Sequence, residues 1–476
     1  MASKNISFDN IPASIRKPGK YFEINTKLAV RTLATNEQRV LIIAQKLPTS
    51  AAPLEPVQIF DDATAAALFG YGSQAHMMAR AAITAYQSVD LTVLPVPPHA
   101  AGIAATGTVT LSGAATSAGV VKLSIGNSYV AVAASYQDTA ASILAELVAA
   151  INDEQVPVTA AITTADGGTP TATLTAKNKG TLGNAIMLAL SNTVAGFTAT
   201  KTAMTGGQQD PDIDDALAAV FASSYNIYCV PWAAAEQLTA LREHLEGISG
   251  PLEQRRATGW TATPSSLATA TTLAGQLNSG RISLACLPGT ASLPEELAAA
   301  YAAVAASEED PARPLNTLEL SGIAAPAVAD RLGRKEQEVM LKNGATPLEV
   351  GPGDVVQIVR AVSTYTRNAE GATDISLLDM TTIRTLDYTC KAVKERVDLR
   401  FPREKLSART PAKVRSEVLD VLRGLDDLEI LEEVEANAEG VIAERDLNDP
   451  NRLNIKIPAD VVNGLHVLAA RVDLLL

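Results

Sequence analysis

The sequence predicts a multidomain protein of mixed α/β and α+β class, and three observations lead to this fold class. Apolar runs typical of strands buried on both faces alternate with helical patterns over residues 36–100 and again over 208–310. Between them, residues 101–207 are rich in Thr, Ala and Gly and poor in charge. Beyond residue 311 the charge and proline content rise, and the chain ends in strand-like alternation.

These shifts in composition predict a division of the chain into four parts. They are an N-terminal arm (1–35), a layered α/β middle domain (36–100 plus 208–310), a small inserted α+β module that is rich in β-strand (101–207), and an α+β C-terminal domain (311–476) whose residues 452–476 form a strand arm.

The first half of the middle domain reads as strand, helix, helix, strand. Arg39–Ala44 and Leu91–Val96 are continuous apolar runs and predict buried strands. Helices are predicted around Asp62–Phe69 and over Ser73–Ser88. This order is typical of an α/β layer.

The inserted module shows short alternating runs around one helix. The helix is marked by Ile143, Leu147 and Ile151 at a spacing of four. The predicted strands are Thr108–Leu111, Val120–Ile125, Tyr129–Val132 and Thr171–Ala176.

The α/β pattern restarts near Asp210, which is a good N-cap residue followed by Pro211. A helix face then follows at Ile213, Leu217, Val220 and Phe221. The remaining predictions are strands at Ile227–Val230, Thr258–Trp260 and Ile282–Leu287 and helices at Ala234–Glu246, Pro264–Asn278 and Pro294–Ala306.

The C-terminal domain is predicted to hold strands at Ile358–Thr364 and Ile375–Leu378 and long helices at Thr381–Val397 and Thr410–Leu422. The last of these helices is expected to end near Gly424.

The two chain ends carry the most informative pattern. Polar and apolar residues alternate over 452–457, and the alternation resumes after an Asn463–Gly464 turn signal, which predicts a hairpin. A terminal apolar strand needs a sheet edge to complete, either in its own subunit or in a neighbour, and a neighbour would make the protein an assembly subunit. The predicted strand-exchange residues are Leu453, Ile455, Ile457, Leu468, Val472, Leu474 and Leu476 and, in a short N-terminal strand, Tyr21, Phe22 and Ile24.

Composition excludes several classes of partner. Hydrophobic residues are 47% of the chain but aromatic residues only 4%, so aliphatic side chains must fill the core. The net charge of −13 argues against nucleic-acid binding and against docking on anionic membranes. Three widely spaced cysteines fit a reducing compartment. Because we find neither a signal peptide nor an apolar run long enough for membrane insertion, we expect a soluble chain made in a cytoplasm.

No motif in the sequence meets the spacing or context that catalysis, cofactor binding or metal binding requires. The four histidines lack metal-ligand spacing, and neither a GxSxG elbow nor a P-loop is present. The segment Gly70–Ala75 matches GxGxxA, but a helix rather than a strand precedes it, which favours an interhelical turn. The acidic stretch Glu429–Glu439 lacks the spacing of a calcium loop and is interpreted as a solvated face.

One charge pattern has two open interpretations. Between Lys391 and Arg415 lie nine basic and three acidic residues, a local charge of +6. The residues are either ordinary solvated side chains or a positive patch that docks on an acidic partner. The candidate patch residues are Lys391, Lys394, Arg396, Arg400, Arg403 and Lys405.

The chain resembles the tail sheath proteins of contractile phages, the Mu-like branch in particular. The resemblance covers the whole chain and is most specific over 311–476. It is carried by Ile6–Pro12 leading to Arg39–Leu41, Leu68–Ser73, Pro311–Leu315 with Asn343–Gly344, Thr364–Asn368 with Gly371 and Asp374, Leu378–Met380, Thr385–Tyr388, Phe401–Leu406 and Asp449–Arg452.

This resemblance implies a structural subunit without cofactors that forms stacked hexameric rings around a tail tube. It implies a middle domain of subtilisin-like topology without a protease site, and terminal arms that add strands to neighbouring subunits. On contraction the rings would rotate and widen, driving the tube through the host envelope. Implied partners are further copies of the chain, the tube protein, and baseplate and terminator proteins, in a phage tail or a headless particle assembled in the host cytoplasm.

Two alternatives stay open at this point. The layered middle domain is compatible with an α/β hydrolase-like enzyme, such as a peptidase, for which His244 is the only histidine available in the segment 208–310. The chain could also be another structural tail part, such as tube or baseplate, although tube proteins are usually much shorter.

Overall fold

The computed structural model describes residues 16–22, 36–154, 156–163 and 168–474. The strands are β1 (Arg39–Gln45), β2 (Val57–Ile59), β3 (Asp90–Val96), β4 (Ala104–Gly113), β5 (Gly119–Ile125), β6 (Ser128–Ala134), β7 (Val158–Ile162), β8 (Thr171–Lys179), β9 (Leu188–Asn192), β10 (Phe197–Lys201), β11 (Ile227–Cys229), β12 (Thr258–Thr263), β13 (Ile282–Cys286), β14 (Thr346–Val350), β15 (Val356–Ile358), β16 (Leu431–Glu432), β17 (Ile442–Arg445), β18 (Leu453–Lys456) and β19 (Asp460–Val461).

The α-helices of the same residues are α1 (Asp62–Phe69), α2 (Gln74–Ala85), α3 (Ala140–Asp153), α4 (Asp214–Ala219), α5 (Ala235–Ser249), α6 (Leu267–Leu277), α7 (Pro294–Ser307), α8 (Arg334–Lys342), α9 (Met380–Arg400) and α10 (Thr410–Asp427). None of these helices is long and apolar enough to cross a membrane.

A sheet in the order β15-β14-β13-β12-β11-β1-β3-β2 forms the centre of the molecule. Its inner strands run parallel, and only β2 and β15 at the edges are antiparallel to their neighbours. The side chains of β1 alternate between two cores: Val40 and Ile42 face one, and Leu41 and Ile43 face the other. Both faces are covered, which explains the continuous apolar run of this strand.

Helices cover the two faces of this sheet. On one side α7 packs against α2 and β12, and its residues Pro294–Ala306 are all buried. Its many alanines allow this close approach, and Arg80 of α2 forms an ion pair with Glu296 of α7 at 3.1 Å. On the other side α5 buries Leu238, Leu241 and other leucines. The result is a three-layer α/β arrangement.

Two smaller antiparallel sheets come from the segment between β3 and α4. Their orders are β10-β4-β8-β7 and β6-β5-β9. Helix α3 packs between them and buries Ile143, Leu147 and Ile151, the three residues that the spacing marked. Asn178 of β8 ties this part to the α1–α2 turn, since its amide accepts from the N–H of Gln74 and donates to the carbonyl of Gly72.

The large sheet extends beyond the domain boundary expected at residue 311. Strands β14 and β15 lie after that boundary, yet β14 pairs in parallel with β13 and β15 closes the edge. The boundary at 310–311 therefore cuts through one sheet. The rise in charge and proline there marks a change of surface rather than the end of the fold.

Three local predictions before α9 are wrong. Helix α4 begins at Asp214, because the Asp210 carboxylate instead accepts hydrogen bonds from the backbone N–H (2.7 Å) and hydroxyl (2.5 Å) of Thr181. Only the first residue of the predicted strand 358–364 belongs to a strand, β15. The predicted strand 375–378 is a turn, in which the Asp374 carboxylate accepts from the N–H of Ser376.

The last part of the chain packs around α9 and α10. Val414, Val418 and Leu422 of α10 form a separate core with Tyr388 of α9. Helix α10 continues past Gly424, where we expected it to end, and ends at Asp427. Two short antiparallel pairs, β16–β19 and β17–β18, cover this core.

Candidate assembly surfaces at the chain ends and on helix α9

Strand β18 is paired within its own chain. It runs antiparallel to β17, with Ile455 opposite Ala443. Asp446 holds the connecting turn, since its carboxylate accepts from the backbone N–H groups of Asn448 and Asp449 and from the Asn454 side chain. These hydrogen bonds, that of Asn454 first, lower the pKa of Asp446 to about 2. Because β18 pairs upstream, the predicted hairpin around 463–464 is wrong.

After β19 the chain runs without regular structure to residue 474. Leu468, Val472 and Leu474 are 84%, 94% and 81% exposed. Near the other chain end, Tyr21 and Phe22 are also exposed. Ile24 and Leu476 lie outside the described residues.

The strand-exchange residues thus fall into two groups. Leu453 and Ile457 pack against the core of α9 and α10, and Ile455 is 36% exposed. Among the described strands β18 pairs only with β17, so its other edge is open. Strand addition between subunits would pair the exposed apolar residues of the tail with this open edge of β18.

The predicted basic patch is partly neutralised by α10. Arg396 forms ion pairs with Asp420 and with Glu417, and Arg400 lies 3.4 Å from the same Glu417. Sequence reasoning missed this because both acidic residues lie beyond the basic run. The other four candidates, all exposed, form no ion pair within the described residues: Lys391, Lys394, Arg403 and Lys405.

A groove of about 930 Å³ separates α9 and β18 from the amino ends of β1, β11 and β12. At its wall Asp387 of α9 accepts two hydrogen bonds from Arg281, at 2.8 and 3.1 Å, and lies 3.5 Å from Arg256. Arg384 of α9 donates to the carbonyl of Glu308, and burial lowers its pKa to about 10. These arginines and Asp387 fix α9 to the sheet.

His244 is packed among aromatic rings rather than placed in a catalytic group of the described residues. The ring of His244 packs 5.2 Å from that of Tyr228 and 6.0 Å from that of Phe221. Burial, and to a lesser degree Arg255, lower the pKa of His244 to about 4. Its Nε2 has no hydrogen-bond partner among the described residues, so the triad that an α/β hydrolase requires is not assembled around it.

The remaining chemical candidates are structural. His76 is buried, accepts from the N–H of Gly72 and lies 2.8 Å from Asp62. The glycine-rich segment is the turn between α1 and α2, where Ser73 caps α2. Within the described ranges no cluster of His, Cys, Asp and Glu could hold a metal ion.

Comparisons with known proteins agree on one family. The phage tail sheath protein central domain matches residues 206–364, and the phage tail sheath C-terminal domain matches residues 372–474. The Mu-like prophage FluMu tail sheath protein of Haemophilus influenzae is 33% identical over 494 residues, covering 99% of this chain and all of the relative.

Solved structures show the same fold. The sheath tail protein of Desulfitobacterium hafniense superposes with a TM-score of 0.51 at 14% identity, covering 94% of this chain and 97% of its own. The sheath tail protein Lin1278 of Listeria innocua also gives 0.51 at 14% identity, with 91% and 93% covered. The chain therefore belongs to the phage tail sheath family and is a structural subunit of a contractile tail rather than an enzyme.

Proposed function

We propose that the chain polymerises as stacked hexameric rings around a tail tube and contracts to drive the tube through the host envelope. The observation that carries the proposal is the exposure of Leu468, Val472 and Leu474, apolar residues at even-numbered positions of the C-terminal segment that would share one face of a strand. Such a segment gains a partner when it adds to the open edge of β18 in a neighbouring subunit.

The strength of this link follows from strand addition. Addition of residues 468–474 to an edge as short as the 4 residues of β18 would form about three or four main-chain hydrogen bonds, each contributing about 0.5–1.5 kcal/mol. Burial of Leu468, Val472 and Leu474 would add about 1.5–3 kcal/mol for each fully covered side chain. The N-terminal residues Tyr21, Phe22 and Ile24 would supply a second strand, with Leu476 extending the first.

Contact with the tube is expected to be weaker and more polar, because contraction must break it. The exposed residues Lys391, Lys394, Arg403 and Lys405 suit an acidic tube surface. Arg396 and Arg400 would contribute less, since α10 already pairs them.

Further features follow from the same proposal. The partners are neighbouring copies, the tube, and baseplate and terminator proteins, without nucleic acid or membrane insertion. The segment 101–207 would be an outer module, and the middle part of the chain would have subtilisin-like topology. Assembly would take place in the host cytoplasm. The extended sheath would be metastable and store its energy at assembly, so no cofactor is needed.

A truncation separates this proposal from other roles. The chain lacking residues 467–476 should stay folded, since the described part of this segment, 467–474, makes no hydrogen bond to the rest of the described chain. It should fail to form sheath when viewed by negative-stain electron microscopy, whereas the intact chain should form wide, ridged tubes. Normal sheath from the truncated chain would refute strand exchange, and narrow smooth tubes from the intact chain would indicate a tube protein.

A further inference from the structure

The C-terminal segment leaves the body of the protein at His466, whose two ring nitrogens each face a polar side chain of the body. Nδ1 of His466 accepts a hydrogen bond from Nδ2 of Asn316 at 3.0 Å, and its Nε2 lies 3.7 Å from Oδ1 of Asp379. The His466 side chain is 14% exposed, whereas Leu465 and Val467 are each 79% exposed. The histidine therefore points into the body while its neighbours point into solvent.

The partners of His466 are themselves fixed. Both carboxylate oxygens of Asp379 accept from Arg360, at 2.8 and 2.7 Å. With the Asn316 amide as donor, Nδ1 of the histidine carries no proton and the proton sits on Nε2, facing Asp379. This orients the ring as well as placing it.

The backbone just before His466 is equally constrained. A Cβ atom at Gly464 would lie only 2.5 Å from Cγ of Pro314, so the chain packs too close to the body there for any larger residue. In the described stretch 467–474 the hydrogen bond that a side chain makes runs from Arg471 to Asp473, inside the segment. His466 is thus the last contact that fixes the direction of the tail.

We propose that His466 is a positioning residue for sheath assembly, which sets the direction in which residues 467–474 leave the subunit. This rests on the proposed strand exchange and adds the device that prepares it. A segment whose first residue is fixed samples fewer directions. Its effective concentration at a neighbour's sheet edge therefore rises, and it loses less conformational entropy on pairing.

The test uses full-length protein and two substitutions that remove the contact from opposite sides, His466→Ala and Asn316→Ala. His466→Gln keeps an acceptor for the Asn316 amide and is the conservative variant. His99→Ala is the control, because the ring of His99 accepts its hydrogen bond from the N–H of Ala101 in its own turn.

Two measurements are needed. Sedimentation gives the lowest concentration at which sheath forms. Double electron–electron resonance between spin labels at Ala470→Cys and Ala372→Cys, in a Cys390→Ser background, gives the spread of tail positions in the unassembled subunit; the other two cysteines are buried.

His466→Ala and Asn316→Ala should broaden the distance distribution and raise the threshold concentration about tenfold, equivalent to about 1.4 kcal/mol, with little change in Tm. His466→Gln should recover part of the loss, and His99→Ala should behave as the parent. If His466→Ala does not fold, Asn316→Ala decides alone.

A parental threshold with an unchanged distribution in both Ala variants would overturn the positioning role. This failure differs from failure of the strand exchange itself. The latter would appear as normal sheath from the chain that lacks residues 467–476.

Discussion

Replacing Asp387 by asparagine is expected to loosen helix α9 from the large sheet. Asp387 accepts two charge-assisted hydrogen bonds from Arg281, which precedes β13, and lies 3.5 Å from Arg256, which precedes β12. The Asp387, Arg281 and Arg256 side chains are 18%, 20% and 25% exposed. The cluster is therefore only partly screened by water.

The magnitude follows from this geometry. A hydrogen bond to a charged group contributes about 1.5–3 kcal/mol when well shielded, and partial exposure reduces this. Asparagine can still accept one bond, but it leaves two guanidinium groups facing each other without an anion. Arg281 retains its bond to the carbonyl of Ala257. We expect a loss of about 2–3 kcal/mol in the free energy of unfolding.

Urea unfolding followed by tryptophan fluorescence measures this loss, because both tryptophans, Trp232 and Trp260, are buried at the large sheet. With a slope of about 2–3 kcal/mol per molar urea the midpoint should fall by about 1 M. Asp90→Asn is the matched control, since Asp90 pairs with Arg39 on the same sheet but at an exposed position. Equal midpoints for Asp387→Asn and the control would refute the reasoning.

Three further predictions concern charge, pH and backbone conformation. Lys394→Glu should reduce co-sedimentation with tubes at low salt and leave the unfolding midpoint unchanged, and equal binding by Lys394→Glu and parent would contradict the patch. Arg396→Glu should also destabilise the subunit by about 1 kcal/mol, because it removes the ion pair with Asp420 and places a third carboxylate beside Asp420 and Glu417, of which Glu417 keeps its ion pair with Arg400. Burial lowers the pKa of His244 from 6.5 to about 4 and raises that of Glu295 from 4.5 to about 8. Because the unfolded chain binds a proton at His244 more readily than the folded one, the free energy of unfolding falls as the pH drops from 6.5 towards 4. Because the unfolded chain releases the Glu295 proton more readily, the free energy of unfolding also falls as the pH rises from 4.5 towards 8. His244→Phe should make the fall in the unfolding midpoint below pH 6.5 shallower, with the rest of the fall coming from other groups such as His76 and His466, whose pKa values burial also lowers. Glu295→Gln should make the fall between pH 4.5 and 8 shallower, and slopes equal to the parent's would contradict these assignments. Gly344→Ala should lower the midpoint by the equivalent of about 1–3 kcal/mol, because φ is +74° and the new Cβ would lie 2.9 Å from the carbonyl oxygen of Thr364; Gly424→Ala, which has open space, serves as the control.

Local patterns predicted the large sheet well where a strand is buried on both faces. Val40–Ala44 is apolar without interruption, Ile282–Leu287 contains Ser283 as its one polar residue, and a sheet covered by helices is the arrangement that buries such runs. Amphipathic spacing likewise identified α3 from Ile143, Leu147 and Ile151. These signals are contained in the segment itself.

Pairing between distant segments was not predictable in the same way. The residues at 463–464 have the composition of a hairpin turn, yet β18 pairs with β17 instead. The turn held by Asp446 connects β17 directly to β18, so these two strands are neighbours along the chain. The basic run gave no sign that Glu417 would pair with both Arg396 and Arg400, since that contact requires α10 to fold back on α9. The contacts of His466 with Asn316 and Asp379 had no signal in the sequence, because they join segments far apart along the chain.

The most direct test of the account is a cryo-electron microscopy structure of the assembled particle at a resolution that traces the main chain. The account predicts that residues 468–474 form a strand hydrogen-bonded to a different subunit, with His466 still held by Asn316 of its own. A map in which this segment folds onto its own subunit, with no main-chain pairing between subunits, would contradict it.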